Sequence, residues 1–125
     1  MKSARRRIAG AVAGLLTMAS SVLAAAPTAE AAGYATMTVQ AGAAARSAPY
    51  QSSATFIGYV SSDGWRNPSG QASWVKCWVD AGWATGNYYS NRWFYAYVNY
   101  SGGRVPVWAY VHSSYVTNQS SVPRC

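Results

Sequence analysis

Two cysteines constrain this chain more than any other feature. Cys77 and Cys125 are its only cysteines, and Cys125 is the last residue of the sequence. Residues 1–31 read as a secretory signal peptide, which directs the remainder to a compartment where thiols oxidise. Lys2, Arg5, Arg6 and Arg7 form its basic region, and Ile8, Val12, Leu15, Leu16, Met18, Val22 and Leu23 lie in an alanine-rich apolar run. Ala29-Glu30-Ala31 supplies the small-residue cleavage site, with Ala32 a close alternative. A retained membrane helix is the competing reading. The Ala/Gly content and the interruption at Pro27 disfavour it. Arg5-Arg6 leaves twin-arginine export open beside the general route. The simplest consequence is one Cys77–Cys125 disulfide that pins the C-terminus to a small extracellular domain. In the chain-entropy model a loop of that length stabilises by about 4 kcal/mol.

What remains after cleavage suffices for one small domain. Its charges are Arg46, Arg66, Lys76, Arg92, Arg104 and Arg124 against Asp63 and Asp80. Six against two is +4, so much of the full chain's +7 belongs to the signal. That balance favours anionic surfaces without selecting one, and it forms no dense stripe for nucleic acid. All six Trp, ten Tyr and two Phe follow residue 32. A short domain needs such residues for a core, and those left outside suit a binding face.

Short strand patterns alternate with turn residues. Met37, Val39 and Ala41 allow a first strand, and Phe56-Ile57-Gly58-Tyr59-Val60 a second. Trp74 to Asp80 reads as a strand covered on both faces and broken by Ala81-Gly82. Tyr88 to Asn91 reads as a loop. From Arg92 to Tyr100, Phe94, Ala96 and Val98 take the core side, opposite Trp93, Tyr95 and Tyr97. Ser101-Gly102-Gly103-Arg104 is a hairpin turn, and Val105 to Val111 returns as a strand. Trp78, Trp93 and Trp108 are expected in the core, and Tyr110 packed in the barrel. With no amphipathic helix and no repeat, the expectation is a small all-β barrel.

Ala43-Ala44-Ala45-Arg46-Ser47-Ala48-Pro49 stands where an L-N-V-R…S-G-P opening would, and Ala109-Tyr110-Val111-His112-Ser113-Ser114-Tyr115-Val116 where a G-W/Y-V…Y-V/L closing would. Cys77-Trp78, Asn91-Arg92-Trp93-Phe94 and Gly103-Arg104 fit the strands between. On these residues the chain, over about 38–125, resembles the bacterial SH3-like (SH3b) domains of small secreted actinobacterial proteins. The resemblance implies an SH3-like barrel of five to six short strands over 43–125, preceded by a short N-terminal segment, 32–42. It implies a module that binds cell-wall peptide or glycan. The family's strand-one Asn corresponds to Ala44, and the segment 64–73 is longer than the family's usual connection.

Catalytic chemistry has little material. Asp63 and Asp80 are the only acidic side chains after the signal, and Asp63 sits in a turn. His112, beside Ser113 and Ser114, invites a Ser–His reading, but no orienting acid is apparent, and a turn histidine at the barrel rim is the plainer reading. One histidine and two paired cysteines make no zinc site, so no cofactor or metal is expected. Surface aromatics are the better lead. Trp65, Arg66 and Asn67 share one loop, and Trp83, Asn87, Tyr88, Tyr89 and Arg92 another. Rings stack on sugar C–H faces or peptide groups, and Asn and Arg add directed hydrogen bonds. In SH3-like barrels the ligand cleft lies between such loops, which the resemblance carries over. The alternative is that Trp65 and Trp83 fold back over a thin core. The expected function is a secreted, monomeric, non-enzymatic binding module for wall peptidoglycan or another surface glycan or peptide. A secreted protein-interaction factor, such as an inhibitor of an extracellular enzyme, is the second reading. Nucleic acid and, after cleavage, membrane are not expected partners.

Overall fold

Alternation of buried and exposed residues shapes the first element. Along β1 (Ala35–Gln40), Ala35, Met37 and Val39 turn inward and Thr36, Thr38 and Gln40 turn out. The computed structural model describes residues 34–125; the signal-peptide reading of 1–31 lies outside them. β2 (Ala44–Arg46), β3 (Phe56–Tyr59), β4 (Gly70–Thr85), β5 (Tyr89–Val98), β6 (Val107–His112) and β7 (Val116–Thr117) complete one all-β, antiparallel sheet. Its seven strands run in the order β3-β2-β6-β5-β4-β1-β7, leaving β3 and β7 as edges. No helix among the described residues is long and apolar enough to cross a membrane.

The sheet has seven strands where the resemblance implies five to six; β1, where Met37 and Val39 allow a strand, and the two-residue β7 both belong to it. β1 pairs with β4 and β7, and its Met37 and Val39 are fully buried. β1, ahead of position 43, is thus part of the same sheet. β4 also outruns its expected end. It continues past Ala81-Gly82 to Thr85, with an irregularity between Asp80 and Ala84 that bends the strand without ending it. β5 begins at Tyr89, inside the expected loop.

The core holds small and β-branched residues. Val39, Ala45, Val75, Ala96, Val98, Ala109 and Val111 line it, with Phe94 and Met37 as its large members. Strands cross closely as a result. At Gly70 an added Cβ would stand 2.5 Å from the Val39 carbonyl oxygen, so only glycine lets β1 and β4 approach this far. Gln71, also buried, staples the adjoining segment. Its Nε2 donates to the carbonyls of Ser61 (2.6 Å) and Asn99 (2.9 Å), and its Oε1 accepts from the Asn99 N–H and the Ser73 hydroxyl. A fully satisfied buried amide rigidifies its surroundings. The segment 64–73 thus opens with a 3-10 turn at Gly64–Arg66 and becomes part of β4 at Gly70.

A second buried cluster lies on the opposite face. Trp93 is 1% exposed, with its ring edge against His112 at 5.1 Å. Its Nε1–H donates to the Gly82 carbonyl at 2.8 Å, and the Gly82 N–H donates to the Pro49 carbonyl. The bend in β4 brings that cover into place. Cys77 and Cys125 form the expected disulfide, with Cα atoms 4.8 Å apart.

Candidate functional site

The core takes one face of β4, β5 and β6, so the other face must carry what remains. Register sets Trp74 beside Tyr97, Tyr97 beside Trp108, and Tyr95 beside Tyr110. The rings meet in an unbroken chain. Centroids lie 6.1 Å apart for Trp74–Tyr97, 5.2 Å for Tyr97–Trp108, 5.4 Å for Tyr95–Trp108 and 4.7 Å for Tyr95–Tyr110. Tyr34, just ahead of β1, leans on Trp74 and Trp108. Trp74 is 51% exposed, and the other five rings are half-buried, largely by one another. Each such pair adds about 0.5–1.5 kcal/mol beyond area burial. The result is a continuous aromatic cluster of stacked and tilted rings, whose planes differ by 21° to 49°, offering edges and exposed ring faces to sugars or peptide groups. A cleft of about 180 Å³ borders it, with Ser73, Trp74, Tyr97 and Asn99 in its wall.

This face corrects two expectations. Trp108 and Tyr110 stand on the outer face, not in the core, because Val107, Ala109 and Val111 occupy the inner positions of β6. Trp78 is partly buried and packs at the core's border. Of the three tryptophans expected inside, only Trp93 is buried, and it lies in the second cluster.

The residues singled out from sequence fall in two places. Trp65 is 88% exposed on its 3-10 turn, with the Arg66 guanidinium 5.6 Å from its ring. Asn67 accepts a hydrogen bond from the Ser69 hydroxyl. At the far end of β4, Trp83 and Tyr89 stack across the hairpin at 4.9 Å, 59% and 65% exposed, with Tyr88 exposed beside them. Neither Trp65 nor Trp83 folds back over the core. Among the described residues no hydrogen bond or ring contact joins the two groups. Asn87 belongs to the scaffold, since its Nδ2 donates to Gln40 Oε1 (2.8 Å) and to the Ser114 carbonyl (3.0 Å).

Arg92 is engaged as well. Its Nε and Nη2 donate to the two Asp80 oxygens at 2.7 and 2.9 Å, while its guanidinium lies 3.9 Å from the Trp78 ring centroid. Arg124 lies at 4.6 Å from the same centroid. The hydrogen bonds from Arg92 hold the Asp80 carboxyl below its ordinary value, and those to Asp80 raise Arg92 above its own. A depressed carboxylate stabilises the fold above its unfolded pKa and loses that contribution as pH falls through the lowered folded value. Carbon-detected NMR titration is expected to show Asp80 protonating below the ordinary aspartate range, and moving back toward it in Arg92→Gln. An unchanged Asp80 titration in that variant would remove the pair as the cause.

His112 is buried, not at a solvated rim. Its Nε2 lies 2.9 Å from the Ser90 carbonyl, which only accepts, so Nε2 is assigned the proton. Nδ1 then accepts from the Ser114 hydroxyl at 2.7 Å, and that hydroxyl oxygen accepts the Asn87 N–H. Both ring nitrogens are committed to protein atoms, and no carboxylate joins the network. Among the described residues, no group of His, Cys, Asp or Glu side chains could hold a metal ion.

No protein-family model, curated protein or solved structure matches the chain.

The outer-face rings were within reach of the sequence. Trp93, Tyr95 and Tyr97 recur at every second position, as do Trp108 and Tyr110. Aromatic rows opposite Ala96 and Val98 on β5 and Val107, Ala109 and Val111 on β6 mark a sheet with many of its large side chains facing away from its core.

Proposed function

We propose that this chain is a secreted, non-catalytic binding module for cell-wall glycan or peptide. One observation carries the reading: six aromatic rings in mutual contact on the outer face of the central strands, Trp74 the most exposed among them. Uncharged, half-exposed rings, with Trp74 the most open, offer apolar contact and stacking to a chain of sugar rings or to extended peptide. The basic-apolar-small pattern of residues 1–31 supports export, and a disulfide is compatible with an extracellular location. The likeness of the opening and closing motifs to SH3b domains supports the same reading. The stacked pair Trp83–Tyr89 adds a second aromatic contact on the hairpin.

The test is sedimentation of the protein with purified, protein-free peptidoglycan. Wild type is expected to bind saturably. Trp74→Ala and Tyr97→Ala are expected to weaken binding about tenfold or more, the scale on which interface aromatics act. Absence of wild-type binding would overturn the reading, and equal binding by all variants would remove the ring face from it.

Trp65 favours the second reading, a protein-interaction factor. A tryptophan 88% exposed beside Arg66 suits a protein hot spot. If wild type captures a co-secreted enzyme and Trp65→Ala abolishes that capture while sparing wall binding, the protein-interaction reading gains, with Trp65 as its contact.

A further inference from the structure

Arg46 stands in an unusual position for a cation. It lies on β2 opposite Tyr110, at the end of the ring face, and is only partly exposed. Its Nη1 donates to the Ser52 carbonyl (2.7 Å) and to Thr55 Oγ1 (3.1 Å), both neutral oxygens. Among the described residues no carboxylate forms an ion pair with it. Of the two aspartates among the described residues, Asp80 is engaged by Arg92, and Asp63 accepts the Ala72 N–H. Desolvation lowers the Arg46 pKa, as expected of a cation drawn from water without a counter-ion. The Nε and Nη2 edge makes no hydrogen bond to a protein acceptor among the described residues. The guanidinium carbon lies 6.0 Å from the Phe56 ring centroid.

Two clefts adjoin at this residue. One, of about 200 Å³, is walled by Ala44, Arg46, Gln51, Tyr59 and Tyr115 among others. The second, of about 350 Å³, shares Arg46, Gln51 and Tyr59 and adds Phe56. Neither has an acidic side chain in its wall. The Gln51 side-chain amide makes no hydrogen bond within the described protein. A fork of N–H donors, an uncommitted amide and phenol-bearing walls match a planar oxyanion, which an arginine grips in bidentate fashion.

We propose that Arg46 anchors a carboxylate-binding cleft, taking the free carboxylate of a peptide terminus or of an acidic sugar. The inference goes beyond the ring-face reading and is tested without it.

The experiment is a heteronuclear NMR titration of the protein, following the Arg46 Nε–Hε signal and the Gln51 and Tyr59 amides. The probes are N-acetyl-triglycine, its C-terminal amide, glucuronate and glucose. At least one acid is expected to shift these signals saturably while the amide and glucose do not. Which acid does so distinguishes a peptide terminus from a sugar acid. Arg46→Lys keeps the charge and loses the fork, and is expected to weaken binding about tenfold. Should that variant disturb the 47–55 loop, Gln51→Ala, at an exposed side chain with no protein hydrogen bond, is expected to weaken it roughly threefold. Equal shifts from acid and amide, or no response at Arg46 to either acid, would overturn the proposal. So would unchanged acid affinity in a folded Arg46→Lys or, where that variant disturbs the loop, in Gln51→Ala.

Discussion

Trp93→Ala is expected to destabilise the domain by about 3–5 kcal/mol, the range for truncating a buried large aromatic. Few residues of this chain bring so many separate parts together. The ring is 1% exposed, stands edge-on to His112, lies opposite Val79 in the sheet and gives its N–H to the Gly82 carbonyl. Alanine would leave a cavity between β5 and the bent end of β4. It would also leave the Gly82 carbonyl without that donor, a further penalty of about 1–3 kcal/mol where water cannot replace it. Trp93→Phe separates the two effects, since it keeps most of the ring and loses only the donor. Urea denaturation checks both variants. The midpoint should fall with the slope unchanged, and more for alanine than for phenylalanine. An alanine variant within about 0.5 kcal/mol of wild type, the usual effect of a surface change, would mean that this cluster contributes little to the fold.

Reduction of Cys77–Cys125, or Cys125→Ser, is expected to remove about 4 kcal/mol. The bond closes a loop across 48 positions and so restricts the unfolded chain. In the folded state it secures a short parallel bridge. Trp78 N–H donates to the Pro123 carbonyl, Cys125 N–H donates to the Trp78 carbonyl, and Arg124 rests on the Trp78 ring. For a domain of this size the loss corresponds to a fall in Tm of roughly 15–30 °C. Thermal melts with and without reductant test it, with Cys125→Ser matching reduced wild type. A melt indifferent to reductant would show that the C-terminal segment is held by its other contacts alone.

Much of this fold is legible in the residues. Ala96 and Val98, fully buried, and Phe94 take the core side that alternation assigns them. The pairing of Cys77 with Cys125 follows from there being no other partner. What misled was size. Trp108 and Tyr110 look like core because they are large and apolar, but a narrow interior admits Ala45, Ala96 and Ala109 and leaves no room for indoles. Volume, not hydropathy, decided which face was inside. The long β4 was hidden for another reason. Gly82 reads as a strand breaker, whereas its carbonyl and N–H are needed to receive Trp93 and to reach Pro49. The grouping of Trp83 with Tyr89 followed from the hairpin. The Arg46 clefts did not, since one forms where the loop between β2 and β3 folds back on them, and the other where that region meets residues of later strands.

The two ends of the sheet are short. β3 has four residues and follows a register shift in its pairing with β2; β7 has only two. A chain this rich in tyrosine and tryptophan would be a hazard if it offered a long row of unpaired backbone groups to its neighbours. Here the strands bearing most of those rings, β4 to β6, are hydrogen-bonded on either side, and the margins give another molecule little to lengthen.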